Sequence, residues 1–251
     1  MNDTPRLRMF AGPNGSGKST LHSVISPNLL GVYINPDEIE KKVRQENFLD
    51  IASYGVRTTE DEMLRFFRGS KLLEQLGLLE EARELRFSDD KLSFSSVSIN
   101  SYFASVTADF IRQKLVDNST SFTFETVMSS DDKVKLLRQA QQCGFRTYLY
   151  YVATEDPIIN ISRVHHRVKM GGHAVPTDKV ISRYYRSLDL LREAVRYTNR
   201  AYFFDNSSNT RVWLAEVTDG RALTMKTDTM PQWFKTALWD KLNKLDPDPV
   251  S

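Results

Sequence analysis

A lysine stands among glycines and hydroxyls in the run Gly12, Pro13, Asn14, Gly15, Ser16, Gly17, Lys18, Ser19 and Thr20. The run fits G-x-x-x-x-G-K-[ST], a pattern whose chemistry is the binding of a polyphosphate such as that of ATP. Gly15 and Gly17 let the backbone curl until several N–H groups face one anion. Lys18 is placed to reach β- and γ-phosphate oxygens, and Ser19 to ligate Mg²⁺. The plainer reading is a glycine-rich turn that holds a lysine by chance. The flanks argue against it, because an apolar run, 7–11, comes before and an apolar stretch, 21–25, comes after. A strand followed by a helix is the setting the pattern needs, and the helix would add its positive dipole end.

Carboxylates at strand ends come next. The segment Val32-Tyr33-Ile34-Asn35-Pro36-Asp37-Glu38 puts Asp37 just past an apolar run. In open α/β sheets ligands bind at that carboxyl edge. Asp37 could accept a proton from a substrate hydroxyl, or it could simply be the N-cap of the following helix. Glu38 reads as first-turn dipole complementation. Ser121-Phe122-Thr123-Phe124-Glu125-Thr126 brings Glu125 and Thr126 to the same kind of edge, where a Glu can hold a hydroxyl or a metal-bound water. A Walker-B aspartate is absent from that strand.

From 156 to 200 the chain turns basic, with nine Arg and Lys against four Asp and Glu. Arg163 and Arg167 are four apart, hence on one helix face. They precede Met170-Gly171-Gly172-His173, and Arg183 follows it. Guanidiniums on a lid could neutralise the charge of a phosphoryl group in transfer while the lid excludes water. Arg192, Arg196 and Arg200 read as a solvated cationic face. His165, His166 and His173 lack convincing zinc spacing, so no structural metal is expected.

Something must position these groups. Apolar strand-like runs at 7–11, 31–35, 121–125, 147–152, 201–204 and 212–217 alternate with helical patterns. The predicted fold class is therefore α/β, a three-layer sheet with crossover helices. A helix over 131–143 ends at Gly144, and another, amphipathic, covers 101–116. About 85 residues separate the second and third strands, far more than a crossover needs. Within them 57–100 reads as a helical insertion that caps the acceptor cleft, with 88–101 a mobile or short-stranded return. The predicted organisation is a kinase-type domain over 1–220 and a C-terminal helical appendage over 221–251, with Trp233, Leu238, Trp239 and Leu242 on one face and 246–251 a frayed tail.

The chain has 251 residues, 40% hydrophobic and 26% charged, with net charge +2. That balance fits a globular protein and excludes a whole-molecule field for nucleic acid or membrane. The lone Cys143 forbids an internal disulfide and suits a reducing compartment; it reads as a small buried residue at a helix end. No apolar run nears the roughly 20 residues that cross a bilayer, and no signal-peptide pattern opens the chain, so a cytoplasmic protein is expected.

The same words in the glycine run occur in transporter-type ATPases, but the L-S-G-G-Q signature and the strand closed by Asp-Glu are both missing. The ordered set of 11–20, Ile34-Asn35-Pro36-Asp37-Glu38-Ile39, Phe124-Glu125-Thr126 and Arg163-x-x-x-Arg167-x-x-x-Gly171-Gly172-His173-x-Val175-Pro176, then Arg183-Tyr184, resembles the zeta-toxin-like kinases. The resemblance covers roughly 5–55 and 100–215. It implies a P-loop kinase with a parallel core sheet in 2-3-1-4-5 order and ATP with Mg²⁺ as cofactors. It makes Lys18 the phosphate-loop lysine, Asp37 the base, Arg163, Arg167 and Arg183 the lid arginines, and Glu125 with Thr126 the acceptor neighbours. Well-known members of that family phosphorylate the 3′-hydroxyl of UDP-N-acetylglucosamine and are held inactive by a small antitoxin protein. The resemblance thus implies a small-molecule hydroxyl acceptor, with an antitoxin as the expected protein partner. The insertion 57–100 falls where an acceptor sugar would be gripped, so the acceptor stays open. A polynucleotide kinase shares the loop, base and lid. A nucleotide-gated binding module, in which ATP occupancy moves the lid to signal to a partner, is the non-enzyme alternative.

Overall fold

The structure is a computed structural model and describes residues 4–172 and 174–243. The tail 246–251 and His173 lie outside the described residues. In chain order come β1 (Arg6–Ala11), a 3-10 helix (Lys18–Val24), β2 (Val32–Ile34), α1 (Pro36–Glu46) and β3 (Phe48–Asp50). Then follow α2 (Glu60–Arg68), α3 (Lys71–Gln75), α4 (Leu79–Arg83), β4 (Arg86–Ser88), β5 (Lys91–Ser93), α5 (Ser101–Asp117) and β6 (Phe122–Thr126). The remainder is α6 (Asp132–Gln142), β7 (Arg146–Ala153), α7 (Pro157–Lys169), α8 (Thr177–Asp189), α9 (Leu191–Arg196), β8 (Arg200–Asp205), β9 (Val212–Thr218), β10 (Ala222–Met225), α10 (Gln232–Phe234), a π-helical turn (Lys235–Trp239) and α11 (Asp240–Asn243). No helix among the described residues is long and apolar enough to cross a membrane.

The chain forms two compact units. The first is Met1–Leu29 with Glu125–Ser251, and the second is Leu30–Phe124.

In the first unit β1 runs parallel to β7, with Ala11 opposite Tyr151, and β7 parallel to β8, with Ala153 opposite Asp205. β9 and β10 then add antiparallel strands at the β8 side. β1 is buried from Leu7 to Ala11 and β7 from Leu149 to Ala153, as central parallel strands are. The polar exception is Arg8, 4% exposed, whose guanidinium lies 5.2 Å from the Tyr148 ring centre. Parallel alignment sends the carboxyl ends of β1, β7 and β8 the same way. Whatever follows Ala11, Ala153 and Asp205 therefore emerges at one edge.

α6 ends as its sequence requires. Gly144 takes φ +81°, which glycine adopts without a Cβ penalty, and Phe145 N–H donates back to Ala140 O at 2.9 Å. Cys143 is exposed, against expectation, because the chain turns away at this cap and leaves the apolar face of Val134, Leu137 and Ala140 behind.

The second unit holds β2 paired in parallel with Phe122–Phe124 of β6, Val32 opposite Phe122. The pairs β1–β7, β7–β8 and β2–β6, which stand for pairs 1–4, 4–5 and 2–3 of the expected core, are all present and parallel, and the fold is α/β on a mostly parallel sheet. α5 is buried nearly all round rather than along one stripe. Asn100 caps it, accepting from the N–H groups of Tyr102 and Phe103.

The stretch 57–100 is helical only as far as α4. Beyond that, β4 and β5 form a hairpin over Asp89 and Asp90, at φ +49° and +58°. Two positive-φ residues in a two-residue loop suit the twist of antiparallel strands. β5 also pairs with β3, Leu92 opposite Leu49, so the hairpin recruits residues before the insertion. Phe67 of α2 is fully buried and stacks on Phe103 of α5, ring centres 6.4 Å apart. The stretch therefore shares the core of its unit.

Two further expectations change. The element after the glycine run is a 3-10 helix of seven residues, not an α-helix, and its poorer hydrogen-bond geometry gives less dipole to lend. The C-terminal region includes β10, and a π turn interrupts its helix. Trp233 and Leu238 are buried, whereas Trp239 and Leu242 are only half-buried.

Candidate active site

The glycine run leaves β1 and curls over the carboxyl ends of β7 and β8. Gly12 has φ +145°, and a Cβ there would stand 2.0 Å from Val152 O, so only glycine passes β7 this closely. Gly15 has φ +75°, and its Cβ would meet Asn160 O at 2.5 Å. Ser16 N–H closes the turn on Pro13 O at 3.2 Å. Lys18 Nζ folds back and donates to Gly12 O at 2.8 Å and Pro13 O at 3.0 Å. The ammonium is thereby held inside the curl.

The donor set fits a polyphosphate. Among the described residues the N–H groups of Asn14, Gly15 and Gly17 have no hydrogen-bond partner. Ser16 Oγ is fully buried and also unpartnered. Unsatisfied donors close together in one short glycine-rich loop are what an anion requires. Ser19 is exposed beside them, and a hydroxyl there suits Mg²⁺, which takes oxygen ligands from protein, phosphate and water.

Three side chains that sequence reasoning missed fasten this loop. Asn160, in the first turns of α7 and fully buried, donates Nδ2–H to Asn14 O at 2.6 Å. Its own Oδ1 accepts from Thr154 Oγ1. Asn206, directly after β8, donates Nδ2–H to Ser16 O at 2.8 Å, and its amide nitrogen would lie 2.4 Å from a Cβ on Gly17. Arg211 Nη1 donates to Thr20 O at 2.9 Å and Thr20 Oγ1 at 2.6 Å, over the ring of Phe204. Burial pulls the Arg211 guanidinium below its ordinary pKa. One local signal existed for Asn160: an amide at a buried helical position among Ile158, Ile159 and Ile161. Asn206 and Arg211 gave none, since their partners lie some 190 residues away in sequence.

The arginines expected on a lid stand on α7 and α8. Arg163 Nη2 donates to Ser208 O at 3.3 Å, while its Nη1 is buried without a partner among the described residues. Arg163 thus reaches the same 205–211 segment that carries Asn206 and Arg211. Arg167 is exposed, and its side chain and carbonyl pack against Gly172, where a Cβ would come within 2.6 Å of Cγ. Arg183 is half-buried and has no hydrogen bond or ion pair among the described residues. α8 is tied to the strand ends by Tyr184, whose hydroxyl donates to Thr154 O at 2.6 Å. Burial raises the Tyr184 pKa, which keeps that donor protonated.

Glu125 and Thr126 close β6. Thr126 Oγ1 accepts the Met128 N–H at 3.0 Å, fixing the turn after the strand. Asp37 belongs to the second unit, exposed at the second position of α1. The cap of α1 is Asn35, not Asp37, which overturns the capping alternative for that carboxylate.

The chain is similar to several solved structures. It matches the AvrRxo1-ORF1:AvrRxo1-ORF2 complex with sulphate ions at TM-score 0.54 and 14% identity, over 98% of this chain and 66% of that one. The complex of the same pair with ATP gives 0.53 and 14%, over 99% and 67%. A structure from the PezAT toxin-antitoxin system of Streptococcus pneumoniae gives 0.51 and 13%, over 100% and 81%. At such identities the likeness is one of fold. An uncharacterized Haemophilus influenzae protein is 33% identical over 63 residues, which is 25% of this chain and 45% of that relative's length. The zeta toxin family model matches residues 81–218, more than half of the chain, including Glu125, Thr126, Asn160, Arg163, Arg167, Arg183 and Asn206 but not the glycine run or Asp37. By that match the chain belongs to the zeta toxin family.

Proposed function

We propose that this protein is an ATP-dependent kinase that phosphorylates a hydroxyl of a small-molecule acceptor in the cytoplasm, a UDP-N-acetyl sugar being the first candidate. The observation that carries the reading is the loop 12–20, where the N–H groups of Asn14, Gly15 and Gly17 have no partner among the described residues and the Lys18 ammonium is held on Gly12 O and Pro13 O. ATP with Mg²⁺, when bound, supplies the phosphoryl group and part of the charge neutralisation. Lys18 moves its donors from loop carbonyls to phosphate oxygens, and Ser19 offers its hydroxyl to the metal. Asp37 takes the acceptor hydroxyl's proton, a role its carboxylate is available for because Asn35 does the capping. Arg163, Arg167 and Arg183 neutralise charge on the transferring group, and Glu125 and Thr126 orient the acceptor.

A protein inhibitor of antitoxin type is part of the proposal, since one similar structure comes from a toxin-antitoxin system. The test is label transfer from γ-labelled ATP to UDP-sugars, to 5′-hydroxyl oligonucleotides and to a metabolite extract. Label in a small metabolite supports the reading. Label in oligonucleotides alone favours the polynucleotide kinase, and tight ATP binding with no labelled acceptor favours the nucleotide-gated binding module.

A further inference from the structure

Two asparagines hold alternate carbonyls of the glycine run from outside. Asn160 Nδ2 takes Asn14 O at 2.6 Å, and Asn206 Nδ2 takes Ser16 O at 2.8 Å. Described peptide bonds include no cis form. In a trans peptide the C=O of one residue and the N–H of the next point in opposite directions. Drawing Asn14 O outward therefore turns the Gly15 N–H inward. Drawing Ser16 O outward does the same for the Gly17 N–H. These are two of the amides left without a partner among the described residues.

Neither asparagine is loosely placed. Asn160 is fully buried and receives a hydrogen bond from Thr154. Asn206 N–H donates to Ala153 O at 2.9 Å, so its backbone continues the β7–β8 ladder. On the next residues Ser207 N–H and Oγ–H both donate to the Asp205 carboxylate, which also accepts from Trp233 Nε1 at 2.8 Å. The amide of Asn206 is thus fixed from behind and aimed at one carbonyl. A loop of three glycines has wide conformational freedom when free, and these two contacts remove it from the two peptides that matter.

We propose that Asn160 and Asn206 are positioning residues for nucleotide phosphate: they preset the Gly15 and Gly17 amides without touching the ligand. The proposal rests on the kinase reading. The expected loss follows from misaligning one charge-assisted hydrogen bond, about 10-fold in affinity.

The test replaces Asn206, the half-buried member of the pair. Asn206→Leu keeps the size and removes the donor; Asn206→Gln restores an amide one methylene too long. For each, dissociation constants for ATP and for tripolyphosphate are measured by calorimetry, and melting temperature is measured without ligand. The expected result is about 10-fold weaker binding of both ligands by the Leu variant, partial recovery with Gln, and folded proteins in both cases. A Leu variant with lowered melting temperature and wild-type affinity would overturn the proposal, since Asn206 would then be structural only. Should the Leu variant not fold, the Gln variant decides: wild-type affinity with its displaced amide overturns the proposal, and weakened affinity supports it. Wild-type protein that binds ATP while the variants bind equally well sinks the clamp alone. Wild-type protein that binds neither ligand sinks the kinase reading and the clamp together.

Discussion

Asn35 Oδ1 accepts the Asp37 N–H at 2.9 Å, across the first turn of α1. Pro36 between them holds the first helical position, where a missing N–H has no consequence. The Asn-Pro-Asp order thus divides two tasks that one aspartate alone would have to combine. Asn35 satisfies the helix end, and the Asp37 carboxylate makes no hydrogen bond or ion pair among the described residues.

Separate effects follow for the two residues. Asn35→Ala should destabilise the second unit by about 1 kcal/mol through loss of the cap, with turnover changed little in the folded protein. Asp37→Asn should leave melting and ATP affinity near wild type while acceptor phosphorylation falls by roughly 10²-fold or more. Urea titration and a steady-state assay on both variants check this. An Asp37→Asn protein with normal turnover removes the base from the account.

Arg163 and Arg167 differ in their surroundings, one reaching Ser208 O and the other packed on Gly172. Both variants to Ala should lower kcat more than they raise KM for ATP, if the guanidiniums act mainly on charge in the transition state. Arg163→Ala should in addition loosen the 205–211 segment, read as faster amide exchange at Thr210, whose N–H donates to Ser208 Oγ. A salt-sensitive loss of oligonucleotide binding in both would instead mark a nucleic-acid stripe.

Phe67 tests the standing of 57–100. It is fully buried against Phe103, so Phe67→Ala should cost about 3–5 kcal/mol. A detachable cap would lose far less, and thermal melting distinguishes the two. For the same reason, excising 60–97 is expected to unfold Leu30–Phe124 rather than simply alter acceptor choice.

Much of this architecture was legible because its causes are local. Buried parallel strands are apolar runs, so 7–11 and 147–152 stood out and fall inside β1 and β7. Helix ends carry their own chemistry, so Gly144 marked the stop of α6. The hairpin at Asp89 and Asp90 had a local signature, paired turn residues between alternating Phe87, Leu92 and Phe94, and of the mobile and short-stranded alternatives the structure shows the short-stranded one. What the sequence hid depends on distant partners. Asn206 and Arg211 acquire their roles from Ser16 and Thr20, which no local period can reveal. The 3-10 form of Lys18–Val24 and the exposure of Cys143 are likewise set by tertiary surroundings overriding propensity.

Lys18 carries the central claim, because its ammonium is lodged inside the glycine run on Gly12 O and Pro13 O. The most direct measurement is label transfer from γ-labelled ATP to acceptors in a metabolite extract, run on wild type and Lys18→Ala with ATP affinity measured alongside. The account predicts a labelled small molecule with wild type, none above background with Lys18→Ala, and weakened ATP binding in that variant. Equal turnover by the two proteins would contradict it.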